Sequence, residues 1–317
     1  MKSVSAFCAL CALVLQAASC AAYGQSTPAV LPPIAASYAQ TNGHGMYVVF
    51  LGTGTPRPNP VRQGPSLAVI VNGQAYIVDA GTGVVRQAAA AYLRGVSALQ
   101  PNMLDMAFLT HLHSDHTLGL PDLILTPWVM HRITPLTLYG PVGTKGMVDG
   151  IETAYAEDIE VRTHGLEHSS TSGHQVNVHE IQPGVIYQDD NVKVTAFAVK
   201  HGSLREALGY RFDADGKSVV ISGDTRPVKS VVEACNGCDV LIHEAYDSTM
   251  SRNPYFSSFH TSGLQLGKVA AAAQPKLLVV THYVGGARSD PTEVIPDIQQ
   301  NFHGPVVAAN DLDVIAP

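Results

Sequence analysis

The run His111-Leu112-His113-Ser114-Asp115-His116 decides how the rest of this 317-residue chain is interpreted. It directly follows the apolar segment 106–110, which predicts a short buried strand. Imidazole and carboxylate groups are zinc ligands, and a tight turn after a strand can direct several of them at one place. These side chains cannot all lie on one strand face, so we expect the chain to curl and His116 to begin a helix through 117–120. The run therefore predicts a metal centre that can serve two ions.

Strands and helices are predicted around this run. Apolar segments flank Asn72-Gly73, a strong signal for a two-residue hairpin, and a second hairpin is predicted around Asp215-Gly216. Helices are predicted over 84–94, 144–157, 228–234 and 262–273. Polar clusters follow predicted strand ends at 52–56, 79–83, 201–205, 222–226, 243–247 and 282–288. Mixed strands and helices of this order predict a layered α/β sandwich with a site built from loops.

Several motifs resemble those of the metallo-β-lactamase fold hydrolases. The run 110–116 resembles the signature of that family, and further matches occur at 51–56, 78–81, 139–141, 199–202, 208–211, 222–225, 241–245, 259–262 and 278–283. The particular branch is similar to ribonuclease Z and the arylsulfatase-like enzymes. The resemblance implies a four-layer αββα sandwich for residues 46–317, with the site at the sheet edges.

The resemblance also implies a site for two zinc ions, in which Mn²⁺ or Fe²⁺ could replace zinc. The implied ligands are His111, His113 and His201 for one ion, Asp115, His116 and His282 for the other, and Asp224 as the bridge. A hydroxide shared by two cations is a strong nucleophile at neutral pH. Asp79 either orients a metal ligand or caps the turn at Gly81.

The catalytic residues implied by the same branch are Asp115, His260 and Glu244. A leaving alkoxide needs a proton, and a histidine supported by a carboxylate is the usual donor. We therefore expect His260 to be the general acid and Glu244 to orient it. The alternative is that these two residues form a buried structural hydrogen-bonded pair.

The substrate is less clearly indicated. The net charge of −7 argues against general nucleic-acid affinity. In the tRNA-processing relatives a basic arm separates the motifs that match 208–211 and 222–225, and here only a short turn joins them. We therefore expect a small phosphodiester or sulfate ester as the substrate. Arg57, Arg62 and Arg226 lie near the predicted site loops and either hold its negative charge or are solvated surface charges.

Three alternatives remain at this point. A lactonase or β-lactamase would use the same metals on a carbonyl and would not need His260. A ribonuclease Z-type endoribonuclease is disfavoured by the missing arm. A zinc-binding protein without turnover is disfavoured because every implied ligand position is occupied by a suitable residue.

The N-terminus predicts export. Residues 1–22 have the layout of a secretory signal peptide, and residues 23–45 predict a flexible lead-in. The protein is therefore expected to be periplasmic or secreted, without a transmembrane anchor, and lipidation at Cys20 is the weaker alternative. In an oxidising compartment Cys235 and Cys238 could form a disulfide, a redox pair or inert thiols. Relatives in this branch are often dimers, which suggests a homodimer.

Overall fold

The computed structural model describes residues 43–285 and 290–317, in which two β-sheets pack face to face. The predicted signal peptide, most of the predicted lead-in and Cys20 lie outside the described residues. Within the described ranges, no helix is both long enough and apolar enough to cross a membrane.

Each sheet contains seven strands. The strands of the first sheet are β1 (Met46–Gly52), β2 (Ser66–Val71), β3 (Gln74–Val78), β4 (Met106–Phe108), β5 (Leu136–Gly140), β6 (Val176–Glu180) and β14 (Val314–Ile315). The strands of the second sheet are β7 (Gly184–Gln188), β8 (Lys193–Ala198), β9 (Leu208–Ala214), β10 (Lys217–Ile221), β11 (Val240–Tyr246), β12 (Leu277–Val284) and β13 (Val306–Ala308). The spatial orders are β14-β1-β2-β3-β4-β5-β6 and β13-β12-β11-β10-β9-β8-β7.

Helices cover the outer face of each sheet. The described α-helices are α1 (Val84–Leu93), α2 (Ser114–Thr117), α3 (Leu120–Val129), α4 (Thr144–Ala154), α5 (Ala156–His164), α6 (Lys229–Cys235), α7 (Pro254–Phe259), α8 (Gly263–Ala273) and α9 (Ile295–Gln299). Apolar residues of α1 and α3 share a core with the first sheet. Apolar residues of α6, α8 and α9 share a core with the second sheet. The four-layer αββα sandwich is therefore confirmed.

A third core lies between the two sheets and holds them together. Phe108 of β4 packs edge-on against Phe212 of β9, with ring centroids 5.7 Å apart, and both residues are fully buried. Burying one such ring contributes roughly 1.5–3 kcal/mol. Strand β1 is buried along its whole length because it lies between this core and the helices, which explains its unbroken apolar sequence.

The two sheets are also joined by hydrogen bonds at the edge where the polar clusters lie. The amide of Leu208 donates to the carbonyl of Thr110 over 2.8 Å, and the hydroxyl of Tyr210 donates to the carbonyl of Leu109 over 2.6 Å. Strands β3 and β4 run parallel, as do β10, β11 and β12. Their carboxyl ends therefore meet at one edge, where binding sites of α/β sheets usually lie.

The structure differs from the sequence predictions in three helices. The helix predicted over 144–157 is two helices that break at Tyr155, and the second of them buries none of its residues. Helix α3 has no counterpart among the predicted helices, and Pro127 lies inside it. The helix expected to begin at His116 begins at Ser114.

Cys235 and Cys238 form a disulfide. Cys235 at the end of α6 is bonded to Cys238, and both are buried. Of the alternatives left open by the sequence, the structure shows the disulfide.

Candidate metal centre

The loop after β4 delivers four of the predicted ligands to one place. The strand ends at Phe108, the chain curls through His111 and His113, and the short helix α2 then carries Asp115 and His116. The rings of His111 and His116 lie 4.1 Å apart between centroids. The curl thus brings side chains from six consecutive residues to one edge of the sandwich.

One group of nitrogen atoms is formed by His111, His113 and His201, whose candidate ligand atoms all lie within 4.8 Å of one another. His201 follows β8, and its Nε2 is 3.0 Å from Nδ1 of His113. Two atoms bound to one zinc ion at tetrahedral angles are about 3.4 Å apart, because each Zn–N bond is about 2.1 Å long. The spacing of these atoms therefore fits a shared metal ion.

A second group is formed by Asp115, His116 and His282, again with all candidate ligand atoms within 4.8 Å. Oδ2 of Asp115 lies 3.2 Å from Nε2 of His282 and 3.5 Å from Nε2 of His116. These distances also fit two ligands on one ion.

Asp224 lies between the two groups. One of its carboxylate oxygens is 3.4 Å from Nε2 of His282 and 3.7 Å from Nε2 of His201, and the other is 3.5 Å from Nε2 of His116. Its side chain is buried, which raises the pKa of the carboxyl, but the positive charge of His282 and His116 outweighs burial and holds that pKa well below its usual range. Asp224 is therefore an ionised carboxylate within reach of both groups.

The buried nitrogen atoms of this centre indicate a metal rather than a hydrogen-bonded core. Within the described residues, Nε2 of His111 and Nε2 of His116 are buried without a hydrogen-bond partner. Unpartnered buried polar atoms are costly and rare in native proteins. Burial and the nearby His116 lower the pKa of His111 well below its usual value, so its ring is neutral as ligation requires. The donor set fits a divalent transition metal.

Two neighbouring residues fix the orientation of these rings. Oδ2 of Asp79 accepts from Nδ1 of His116 over 2.8 Å, and Oδ1 of Asp79 accepts from the amide of Thr110 over 2.7 Å. Burial disfavours the charged form of His116, but Asp79 and Asp224 outweigh it and raise its pKa well above the usual value. Nδ1 of His201 donates to the carbonyl of Phe259 over 2.8 Å. Each bond directs the other ring nitrogen towards the centre.

His282 reaches the centre through an irregularity in the sheet. In the pairing of β11 with β12, Glu244 lies opposite Thr281 and Ala245 lies opposite Tyr283, so His282 is an extra residue. Its φ of 45° is left-handed, which is unusual for a residue other than glycine. Such a bulge redirects a side chain, here towards Asp115 and Asp224.

His260 and Glu244 lie beside this centre. Nδ1 of His260 is 3.4 Å from Oε1 of Glu244 and 3.9 Å from Oδ2 of Asp224. Burial lowers the pKa of His260, but the carboxylate of Glu244 outweighs it and raises that pKa to about 9. Glu244 is held in place because its Oε1 accepts from the amides of Thr225 and Thr261.

The three arginines singled out in the sequence have different surroundings. Arg62 donates to Thr53 and to the carbonyl of Ala309, so it holds the loop after β1 to the C-terminal segment. Arg57 is exposed and donates to the carbonyl of Gly285 over 2.7 Å. Arg226 is exposed two residues after Asp224.

An open pocket of about 500 Å³ adjoins the metal groups. It lies between the loop 55–64 and Asp115, and both Arg57 and Arg62 contribute to its lining. Its size is within the usual range of small-ligand sites. The guanidinium groups of Arg57 and Arg62 therefore line the same pocket as Asp115.

Two functional features were not predicted from the sequence. Thr110 connects Asp79 to His111, because its hydroxyl is 2.8 Å from Oδ2 of Asp79 and 3.0 Å from Nδ1 of His111. Its position directly before the histidine run was the available signal. The role of Phe259 depends on its backbone carbonyl, which has no signature in the sequence.

Comparison with known proteins identifies the family. A family model described as the beta-lactamase superfamily domain matches residues 74–283. Ribonuclease Z of Mycobacterium bovis is 33% identical over 278 residues, which cover 84% of this chain and 96% of the relative.

Solved structures agree with this identification. Human short-form tRNase Z has a TM-score of 0.65 at 25% identity, with 86% of this chain and 99% of that chain covered. The metallo-β-lactamase fold protein YhfI from Bacillus subtilis has a TM-score of 0.66 at 18% identity, with 85% and 98% covered, and supports the fold alone. The chain therefore belongs to the β-lactamase superfamily and is a metal-dependent hydrolase homologous to ribonuclease Z.

Proposed function

We propose that this protein is a binuclear zinc phosphodiesterase that acts on a small anionic ester. His111, His113 and His201 would hold one ion, Asp115, His116 and His282 would hold the other, and Asp224 would contact both. The position of Asp224 carries the proposal, because its two oxygens lie within ligand-to-ligand distance of both groups. Zinc ions bound there supply Lewis acidity and lower the pKa of water to roughly 7.

The residues around the ligands supply the remaining chemistry. His260, whose pKa in the metal-free protein is raised to about 9 by Glu244, is placed to donate a proton to a leaving oxygen. Glu244 stabilises that protonated ring from 3.4 Å. An alkoxide leaving group needs such a donor, and a lactone releases one too, so the pair argues only against a lactam. Arg57 and Arg62 in the adjoining pocket favour an anionic ester, a phosphodiester with a sulfate ester as the related alternative.

Cleavage of RNA is a second candidate, because the relative from Mycobacterium bovis is named ribonuclease Z. Only a short turn at 215–216 joins β9 to β10, so the basic arm expected of tRNA-processing relatives has no counterpart between these strands. Net charge favours the small ester, since the chain carries −7.

A panel of five substrates tests these candidates on the zinc-loaded protein: bis-p-nitrophenyl phosphate, p-nitrophenyl sulfate, a homoserine lactone, nitrocefin and a 3′-extended tRNA precursor. We expect turnover of the phosphodiester, and turnover of nitrocefin or the lactone alone would refute the proposal. Replacing His260 by Ala should lower turnover of a phosphodiester with an alkoxide leaving group by about 10²-fold, whereas p-nitrophenolate leaves without a proton donor. His164→Ala, on the exposed end of α5, is the matched control and should leave the rate unchanged.

The number of zinc ions bound per chain can be measured on the same preparation. We expect two ions per chain, and a single tightly held ion would contradict the role proposed for Asp224.

We also propose that the protein is exported, on the basis of the predicted signal peptide at residues 1–22. Recovery of the uncleaved chain from the cytoplasmic fraction alone would refute export.

A further inference from the structure

Helix α7 places aromatic rings beside the metal groups. Phe259 is the last residue of this helix, and its ring meets the ring of His201 edge-on at 5.2 Å and lies 6.3 Å from the ring of His260. Tyr255, one turn earlier, stacks on Phe259 with centroids 4.6 Å apart and an angle of 28°. The two rings form a continuous aromatic surface that extends outward from His201.

Phe259 is fixed in this position. A Cβ atom at Gly202 would lie 2.0 Å from its ring, so the phenyl ring rests directly on the backbone that follows His201. The amide of Gly202 also donates to the carbonyl of Ser258 over 3.1 Å. The ring of Phe259 therefore packs closely on the backbone next to His201.

Tyr255, the outer ring of the pair, is exposed to solvent. Its exposed fraction is 56%, although it also meets Phe256 edge-on at 5.4 Å. Phe256 in turn stacks on the buried Tyr246 of β11, which anchors the helix to the second sheet. Tyr255 thus presents a large, supported and accessible ring two contacts away from His201.

We propose that Tyr255 and Phe259 form a stacking surface for a planar aromatic group of the substrate, attached to the oxygen that receives the proton from His260. The inference rests on the proposed function, because it places the ester at the metal groups. His260 follows Phe259 directly in the chain, so a group that leaves towards His260 leaves towards this surface. Simple aryl groups and nucleobases share the required chemistry, since both have a π-face that stacks on an aromatic side chain.

Binding can test the surface without turnover. The dissociation constants of phenyl phosphate, adenosine 5′-monophosphate and methyl phosphate would be measured by calorimetry on the zinc-loaded wild type, Tyr255→Ala and Tyr255→Phe. We expect at least one aromatic ligand to bind the wild type about 10-fold more tightly than methyl phosphate, as stacking of one ring implies. Tyr255→Ala should remove that margin, Tyr255→Phe should keep it, and the affinity for methyl phosphate should stay unchanged in both variants.

The outcomes assign the source of the ring and separate the two proposals. If phenyl phosphate binds more tightly than methyl phosphate, the surface accepts any aryl group. If only the nucleotide binds more tightly than methyl phosphate, the surface accepts a nucleobase. Equal affinity for all three ligands, or a margin that survives in Tyr255→Ala, would overturn the stacking surface even if esters are hydrolysed. Absence of ester turnover with the margin intact would instead overturn the proposed function. Tyr92→Ala, at the exposed end of α1, is the control for loss of a surface tyrosine.

Discussion

Replacing Asp79 by Asn should weaken one metal group and leave the other intact. The side chain keeps its shape, and its remaining oxygen can still accept from the amide of Thr110. The new NH₂ group would then face Nδ1 of His116, which now lies 2.8 Å from a carboxylate oxygen. Two donors cannot share this bond, so His116 would have to move its proton to Nε2.

That change removes the ligand atom. Nε2 of His116 is the nitrogen that lies 3.5 Å from both Asp115 and Asp224, and it binds metal only when it carries no proton. Loss of such an orienting carboxylate typically costs 10–100-fold in metal affinity, or about 1.4–2.8 kcal/mol. Oδ2 of Asp79 is connected to the other group, formed by His111, His113 and His201, through the hydroxyl of Thr110. We therefore expect the metal affinity of that group to change much less.

Zinc titration in competition with a chromophoric chelator measures both affinities. We expect two binding steps in the wild type, and in Asp79→Asn one step that is preserved and one that is weakened 10–100-fold. Asp149→Asn makes the same chemical change at an exposed ion pair with Lys145 and should leave both steps unchanged. Two unchanged steps in Asp79→Asn would refute the orienting role, and equal weakening of both would refute the separation into two groups.

Three further perturbations give measurable outcomes. In the metal-free protein the pKa of His260 is about 9, against 6.5 for the unfolded chain, so its contribution to stability is present below pH 6.5 and is lost as pH rises towards 9. Thermal unfolding across this range should show that loss in the wild type and not in Glu244→Gln, and equal pH profiles would argue against the pairing. Removing zinc with a chelator should lower the melting temperature, because ligand at 1,000 times its Kd contributes about 4 kcal/mol per site; an unchanged temperature would speak against a bound metal. Replacing Cys235 and Cys238 together by Ala should cost about 2 kcal/mol in urea unfolding, as closure of a short loop implies, and no change would mean that the bond does not constrain the unfolded chain.

The fold could be predicted from the sequence wherever local signals agree. The Asn72-Gly73 turn lies between two strands, and the apolar run before His111 is a buried strand that ends where the polar residues begin. Such features depend on neighbours in the chain. The helix around Pro127 packs into the core of the first sheet, which periodicity does not reveal, and the break at Tyr155 has no signal in the sequence.

In the candidate site, too, the residue types could be predicted from the sequence and the backbone geometry could not. The residues that the motifs single out do lie together, because most of them lie in or just after strands whose carboxyl ends meet at one sheet edge. The backbone geometry was not predictable. His282 was expected at the end of a strand and instead lies inside β12 as an extra residue, since apolar alternation does not register a bulge. The carbonyl of Phe259 was equally invisible, because any residue could supply it.

The left-handed backbone at His282 and at Asp79 has a consequence for engineering. Their φ values are 45° and 62°, a region where glycine is at ease and other residues cost of order 1 kcal/mol or more. A redesign that ranks substitutions by folding free energy alone would favour glycine at both positions. It would obtain a more robust scaffold and lose one metal-facing side chain and the carboxylate that orients another. Thermostabilised versions of this chain should therefore be selected with both positions held fixed.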